Sequence, residues 1–208
     1  MAGVAPDRSR VVCVVLASGR GVRMGGPKAL LWWDASQSVT LAQAHVLARS
    51  RECGRVVVVT RHDIGRRLRE LCALEVIVSD EPDEHGPAGS IAAACRAGAL
   101  DAAGLAVLTP VDVPPVGSET VERLLGAIDG DVQAARPRFG TRRGHPVAVR
   151  SACLCEVYAG QARPPLRDVL RSLADRCVDV TVDDPDVLAD LDTMDAFEAR
   201  TGRPPRFA

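Results

Sequence analysis

Lysine is nearly missing from this chain. Of 26 basic residues in 208 positions only Lys28 is a lysine, and the others are arginine. Aromatic residues are scarce as well, at 3%, while apolar residues make up 47%. The buried mass must therefore be Val, Leu and Ala, which implies a core of aliphatic strands and small-residue helices. Net charge is close to nil, at −1. No global field draws this protein to a nucleic acid or a membrane, so any anion it binds must be held by a local site. Long apolar runs are absent too. "VVCVVLA" is too short for a membrane span or a signal-peptide core, and "MAGVAPDRSR" leads into no cleavage site. These features predict a cytoplasmic protein. The seven cysteines are odd in number, scattered, and nowhere spaced CxxC, which argues against disulfides and zinc and for small buried hydrophobes.

What is present alternates. The runs at 11–17, 55–60, 75–80 and 104–112 are apolar throughout, as strands covered on both faces are. Between them "TLAQAHVLARSREC", "DIGRRLRELCA" and "GSIAAACRAGAL" carry apolar residues at helical spacing. Such an alternation predicts a mainly parallel sheet with helices on both sides. Further on, a helix is expected from Ser118, strands in "DVQAARPRF" and "GHPVAVR" with an Arg/Gly-rich link, a helix in "LRDVLRSLADR", a strand in "CVDVTVD" and a last helix in "TMDAFEARTG". The tail "RPPRFA" is expected to fray. One domain spans 1–208, with its core over about 11–200.

The lone lysine sits in "LASGRGVRMGGPKALLWWD", directly after the first strand. Gly19, Gly21, Gly25 and Gly26 let the backbone turn and approach a ligand closely, and Arg20, Arg23 and Lys28 add charge with no acid before Asp34. In an open parallel sheet this is the edge where ligands bind, and a flexible, donor-rich, cationic loop suits phosphates. A Walker loop fails: Pro27 intrudes and Ala29 stands where a metal-binding hydroxyl belongs. A dinucleotide fingerprint fails on its third glycine. The second strand also ends on Arg61 where NAD enzymes carry an acid, which leaves only an NADP-dependent oxidoreductase as a rival from that class. An ammonium is a compact point charge that fits among phosphate oxygens as a planar guanidinium does not, so the one retained lysine marks a slot arginine cannot fill, with chance survival as the alternative.

"LASGRGVRMGGPKALL" closely resembles the LAAGxGxRMGxPKxLL loop of the MobA-like nucleotidyltransferases, most of all the molybdenum cofactor cytidylyl- and guanylyltransferases. The resemblance runs from about residue 11 to 200, with four motifs in family order. It implies a three-layer α/β/α sandwich of the nucleotide-diphospho-sugar transferase type. It implies that Leu16, Ala17, Gly19, Gly21, Arg23 and Lys28 hold a nucleoside triphosphate, and that Arg23, Lys28 and Asp112 are catalytic. Mg²⁺ is the implied cofactor, since a triphosphate site needs a hard cation and such cations take carboxylate oxygens. Asp112 matches the family's metal-binding DxP, in "LTPVDVPPV" just past an apolar strand. "DLDTMDAF" matches the late DIDTPEDL motif with Met194 and Ala196 as departures; it puts Asp192 on the metal position with Asp190 in reserve, and Asp192 also suits an N-cap. Asp183, Asp184 and Asp186 read as a solvated turn.

In "EHGPAGSIAAACRAG" the resemblance assigns Gly89 and Ser90 to the nucleotide's base and ribose; a plain helix cap is the alternative for Ser90. "TRRGHPVAVR" resembles the RGHP motif of the cytidylyl branch, so Arg143, Gly144 and His145 are expected at the acceptor, with a backbone-paired strand-start histidine as the alternative. The implied reaction moves NMP from CTP or GTP to the phosphate of a small acceptor, molybdopterin above all. RMGGPK and RGHP lean towards CTP, while Gly25-Gly26 and "GPAGS" look guanylyl-like. The expected partners are the triphosphate, the phosphorylated acceptor and molybdoenzyme maturation proteins, with no nucleic acid and no membrane. A nucleotide-binding protein without catalysis is the second rival, kept alive by Met194 and Ala196. The adjacent Trp32 and Trp33 suit either core or a contact surface.

Overall fold

The computed structural model describes residues 7–208. The first six residues, on which part of the reading of the opening segment rests, lie outside the described residues. One eight-stranded sheet organises the chain. Its strands are β1 (Val11–Leu16), β2 (Arg55–Thr60), β3 (Val76–Val78), β4 (Leu105–Pro110), β5 (Ala134–Phe139), β6 (Arg142–Arg143), β7 (Val147–Arg150) and β8 (Cys177–Thr181). The order is β3-β2-β1-β4-β7-β5-β6, with β8 also on β5. β3, β2, β1 and β4 run parallel. β7 reverses the direction against β4 and β5, and β8 is again parallel to β5.

The helices are α1 (Leu41–Arg49), α2 (His62–Leu71), α3 (Gly86–Arg96), α4 (Ser118–Gly126), α5 (Ser151–Tyr158), α6 (Leu166–Ser172) and α7 (Met194–Thr201). The three layers follow from strand periodicity. Val11, Cys13 and Val15 point to one face, with Leu41 of α1, Ile64 of α2, Leu124 of α4 and Phe197 of α7. Val12, Val14 and Leu16 point to the other, with Ile91 of α3, Leu154 of α5 and Leu170 of α6. Both faces of β1 are buried, so its sequence is apolar without alternation. Among the described residues no helix is long and apolar enough to cross a membrane. All seven cysteines are free thiols.

Four local expectations are corrected. First, α5 has no counterpart in the sequence reading. "SACLCEVY" shows no polar stripe, and Arg150 provides no side-chain cap. Second, α3 begins at Gly86, after a 3-10 turn at Asp83–His85, so Ser90 lies inside the helix and caps nothing. Third, the tail does not fray. The Trp32 N–H donates to the Arg206 carbonyl at 2.8 Å and the Ala208 N–H to that of Leu30 at 2.9 Å. Arg203 donates to the carbonyls of Trp33 and Asp34, so the tail's polar groups find partners that its composition does not reveal. Trp33 itself is half-buried, edge-on to Phe197 with ring centroids 6.4 Å apart. Fourth, of Asp183, Asp184 and Asp186 only Asp183 is fully solvent-exposed, with a long 3.6 Å contact to Arg123. Asp184 accepts the Gly117 N–H at 2.8 Å, and Asp186 pairs with Arg200 at 2.6 Å.

Candidate active site

β1 and β4 are parallel neighbours, so the segments that leave their carboxyl ends emerge side by side. After β1 the chain folds back on itself. The Met24 and Gly26 N–H groups both donate to the Gly21 carbonyl, and Met24 is fully buried beneath the turn. Gly21 sits at φ +60°, where a β-carbon would lie 1.9 Å from the Gly26 oxygen, so no other residue fits there. This fold brings Lys28 inward at the start of a 3-10 turn.

After β4, Asp112 faces the same space, and its carbonyl accepts the Leu191 N–H at 2.8 Å. That bond ties the late acidic segment to the end of β4. The result is a junction of residues far apart in sequence. The Lys28 Nζ is 3.0 Å from Asp112 Oδ2 and also donates to Asp192 Oδ1. Arg23 Nη2 stands 3.6 Å from Asp192 Oδ2. Asp192 is free for this because Thr193, not Asp192, caps α7 by accepting the Ala196 N–H.

Burial works against the charge on Lys28, but the bonds to Asp192 and Asp112 outweigh it and hold its pKa above the usual value. The hydrogen bond from Lys28 lowers the pKa of Asp192, despite partial burial. Asp190 moves the other way, raised by burial and by the charges of Asp112 and Asp192. One oxygen from each of these three acids lies within 4.8 Å of the others. Three hard oxygen donors, mutual repulsion and an ammonium already drawn between two of them form a place that fits a small divalent cation.

Above these groups lies a cavity of about 510 Å³, within the range that holds a nucleotide-sized ligand. Leu16, Gly19, Gly21, Arg23 and Lys28 line it, as do Ser90, Asp112 and Asp192. The structure thus gathers these eight expected residues. The Ser90 and Ser18 hydroxyls are 2.8 Å apart and join α3 to the glycine segment.

The other expected residues do not line this cavity. Ala17 is buried, with its N–H donating to Val59 and its carbonyl accepting the Thr60 hydroxyl, so its backbone is already taken. Gly89 faces Glu81, where a β-carbon would come within 2.8 Å of the Glu81 Cβ. Arg143 turns to Asp179, at 2.9 Å. Gly144 packs on the Val187 carbonyl, and the His145 N–H donates to that same oxygen at 2.9 Å. The imidazole of His145 keeps a buried Nδ1 without a partner, and burial lowers its pKa against the opposing charge of Asp112.

The sequence reading missed Glu81 and Asp83, and saw in Arg61 only an argument about NADP. Asp83 takes Arg20 at 2.9 Å and also pairs with Arg61, bridging the glycine segment to the end of β2 across the cavity. Their signal was available, because "SDEPDE" follows β3 at the same sheet edge.

The chain is similar to characterised families in both sequence and fold. The MobA-like NTP transferase domain matches residues 13–177. A probable molybdenum cofactor guanylyltransferase of Bacillus cereus is 30% identical over 138 residues, and the match spans 65% of each chain. The molybdenum cofactor cytidylyltransferase of Escherichia coli is 26% identical over 192 residues, covering 91% of this chain and 94% of that one. Among solved structures, the homologue of Mycobacterium tuberculosis Rv0371c from Mycobacterium sp. strain JC1 superposes with a TM-score of 0.74 at 26% identity, over 94% of this chain and 96% of that one. With its glycine segment, lysine and acids at one sheet edge, and with most of its length matched, this chain belongs to the MobA-like NTP transferase family.

Proposed function

We propose that this protein transfers a nucleoside monophosphate from CTP, or from GTP, to the terminal phosphate of a molybdopterin-type acceptor. The observation that carries this reading is the meeting of Lys28, Asp112 and Asp192 beneath the glycine segment. In the reaction an acceptor phosphate oxygen bonds to the α-phosphorus, the bond from that phosphorus to the bridging oxygen breaks, and its electron pair leaves with pyrophosphate. The attacking oxygen is already anionic, so no general base is required. The chain then contributes position and charge. Lys28, released from the acids by an incoming phosphate, and Arg23 would hold the triphosphate and the departing pyrophosphate. Asp112 and Asp192, with Asp190 in reach, would hold Mg²⁺, which when bound supplies neutralising charge at the α-phosphate.

RMGGPK and RGHP favour CTP, and the relatives include both cytidylyl and guanylyl enzymes. Met194 and Ala196 do not displace Asp192, which supports catalysis over mere binding. An NADP-dependent oxidoreductase would leave the three acids without a task. The product would pass to molybdoenzyme maturation partners. The test is pyrophosphate release with molybdopterin and each of CTP, GTP, UTP and ATP, with and without Mg²⁺. CTP should lead and Mg²⁺ should be required; a preference for UTP or ATP, or no release with any of them, removes the proposal.

A further inference from the structure

The cavity has two chemically different ends. Arg23, Lys28, Asp112 and Asp192 occupy one, and they suit phosphates and a cation. The other is walled by the connection from β3 to α3 and by the first residues of α3, with Pro82, Gly86 and Pro87 lining it. A nucleotide that lays its phosphates on Lys28 must lay its base towards this wall. Yet between the end of β3 and the start of α3 at Gly86 the wall has only one 3-10 turn. Something must hold it.

Glu81 is that hold. Its carboxylate lines the cavity but is spent on the protein. Oε1 accepts from Arg96 and from Arg163 Nη2 at 2.8 Å. Oε2 accepts from His85 Nδ1 at 2.6 Å and from Arg163 Nε at 3.1 Å. Four donors on two oxygens leave no free lone-pair direction for a base amino group. Gly89 of α3 closes over the Glu81 Cβ, so the absence of a side chain there serves this packing.

Arg163 is the least expected of the partners. It lies 82 residues away, in the segment between α5 and α6, and reaches Glu81 as a two-pronged fork. Both side chains are shielded, at 8% and 9% exposure. Its remaining donor holds its own segment through the Gly160 and Ala162 carbonyls, and the Tyr158 hydroxyl fastens that segment further through Pro164. A shielded forked pair is directional, and loss of one partner leaves a buried charge uncompensated.

We propose that Arg163 is a positioning residue for nucleotide selection: through Glu81 it sets the place of the wall at Pro82–Pro87 against which the base of the triphosphate lies. The proposal rests on the nucleotidyltransferase reading. It separates base binding from phosphate binding, since Arg163 touches none of the phosphate-end groups.

The test compares binding of CTP and of inorganic tripolyphosphate, each with Mg²⁺, to the full chain carrying Arg163 or the Arg163→Met or Arg163→Lys substitution. Arg163→Met should weaken CTP by about tenfold or more and leave tripolyphosphate within about twofold. Arg163→Lys keeps the charge without the fork and should show the same split at about threefold. If Arg163→Met does not fold, the Arg163→Lys split decides. A merely stabilising role would lower the melting temperature and weaken both ligands in parallel, and that result overturns the proposal. So does CTP binding unchanged in both variants. An unsubstituted protein that takes tripolyphosphate but neither CTP nor GTP overturns the transferase reading, and this inference with it.

Discussion

Lys28 shows why residue type matters at this site. Its side chain is only 11% exposed, and its one nitrogen serves two acids, one from the middle of the sequence and one from near its end. An ammonium brings three donors to a point, whereas a guanidinium spreads its donors across a rigid plane. A chain otherwise built with arginine thus keeps lysine where the slot is narrow. Lys28→Ala and Asp112→Ala should each lower turnover about 10²–10³-fold, the usual effect of removing one preorganised electrostatic contact. Lys28→Arg should recover little of this. Pyrophosphate release measures the loss, and an unchanged circular dichroism spectrum shows that the fold survives.

At the scale of elements, the site depends on connections rather than on strands. The strand that pairs antiparallel with β5 is broken between β6 and β7 by Gly144-His145-Pro146. A β-carbon at Gly144 would stand 1.9 Å from the Val187 carbonyl. The segment crossing there leads straight to Asp190 and Asp192, so Gly144→Ala should push those acids out of register. The expected result is a melting temperature lower by several degrees, from an overpacking cost of about 1–3 kcal/mol, and a raised Mg²⁺ requirement for turnover. Gly126→Ala, at the end of α4 with open space around it, is the control and should change neither. The RGHP sequence was legible as a motif, but its place was not. Gly144, expected at the acceptor, packs against the Val187 carbonyl. No spacing rule joins residue 144 to residue 187, because they meet only when two separate chain crossings stack.

Across the whole molecule, a buried histidine beneath the site couples stability to pH. His45 of α1 is fully buried, its Nε2 has no partner, and burial lowers its pKa to about 4, outweighing the backbone bonds at Val111 and Val113 that act to raise it. In the unfolded chain it takes up a proton near 6.5, its ordinary value. Between 6.5 and about 4 the unfolded state therefore binds more protons, so stability falls as the pH falls through that window, by up to about 3 kcal/mol. His45→Leu should flatten this slope, as read from urea midpoints measured across the same window. An equal slope in both proteins would contradict it.

The sequence by itself determined the layers, the parallel half of the sheet and the loop with its lysine, because these depend on local periodicity and on residues that are neighbours in the chain. Tertiary structure alone decided that Asp192 meets Lys28, that the tail is paired, that α5 exists, and that Glu81 and Arg163 meet. Those outcomes depend on which polar groups find partners after burial, and a buried group's partner is chosen by the packing of distant segments, which no local pattern encodes.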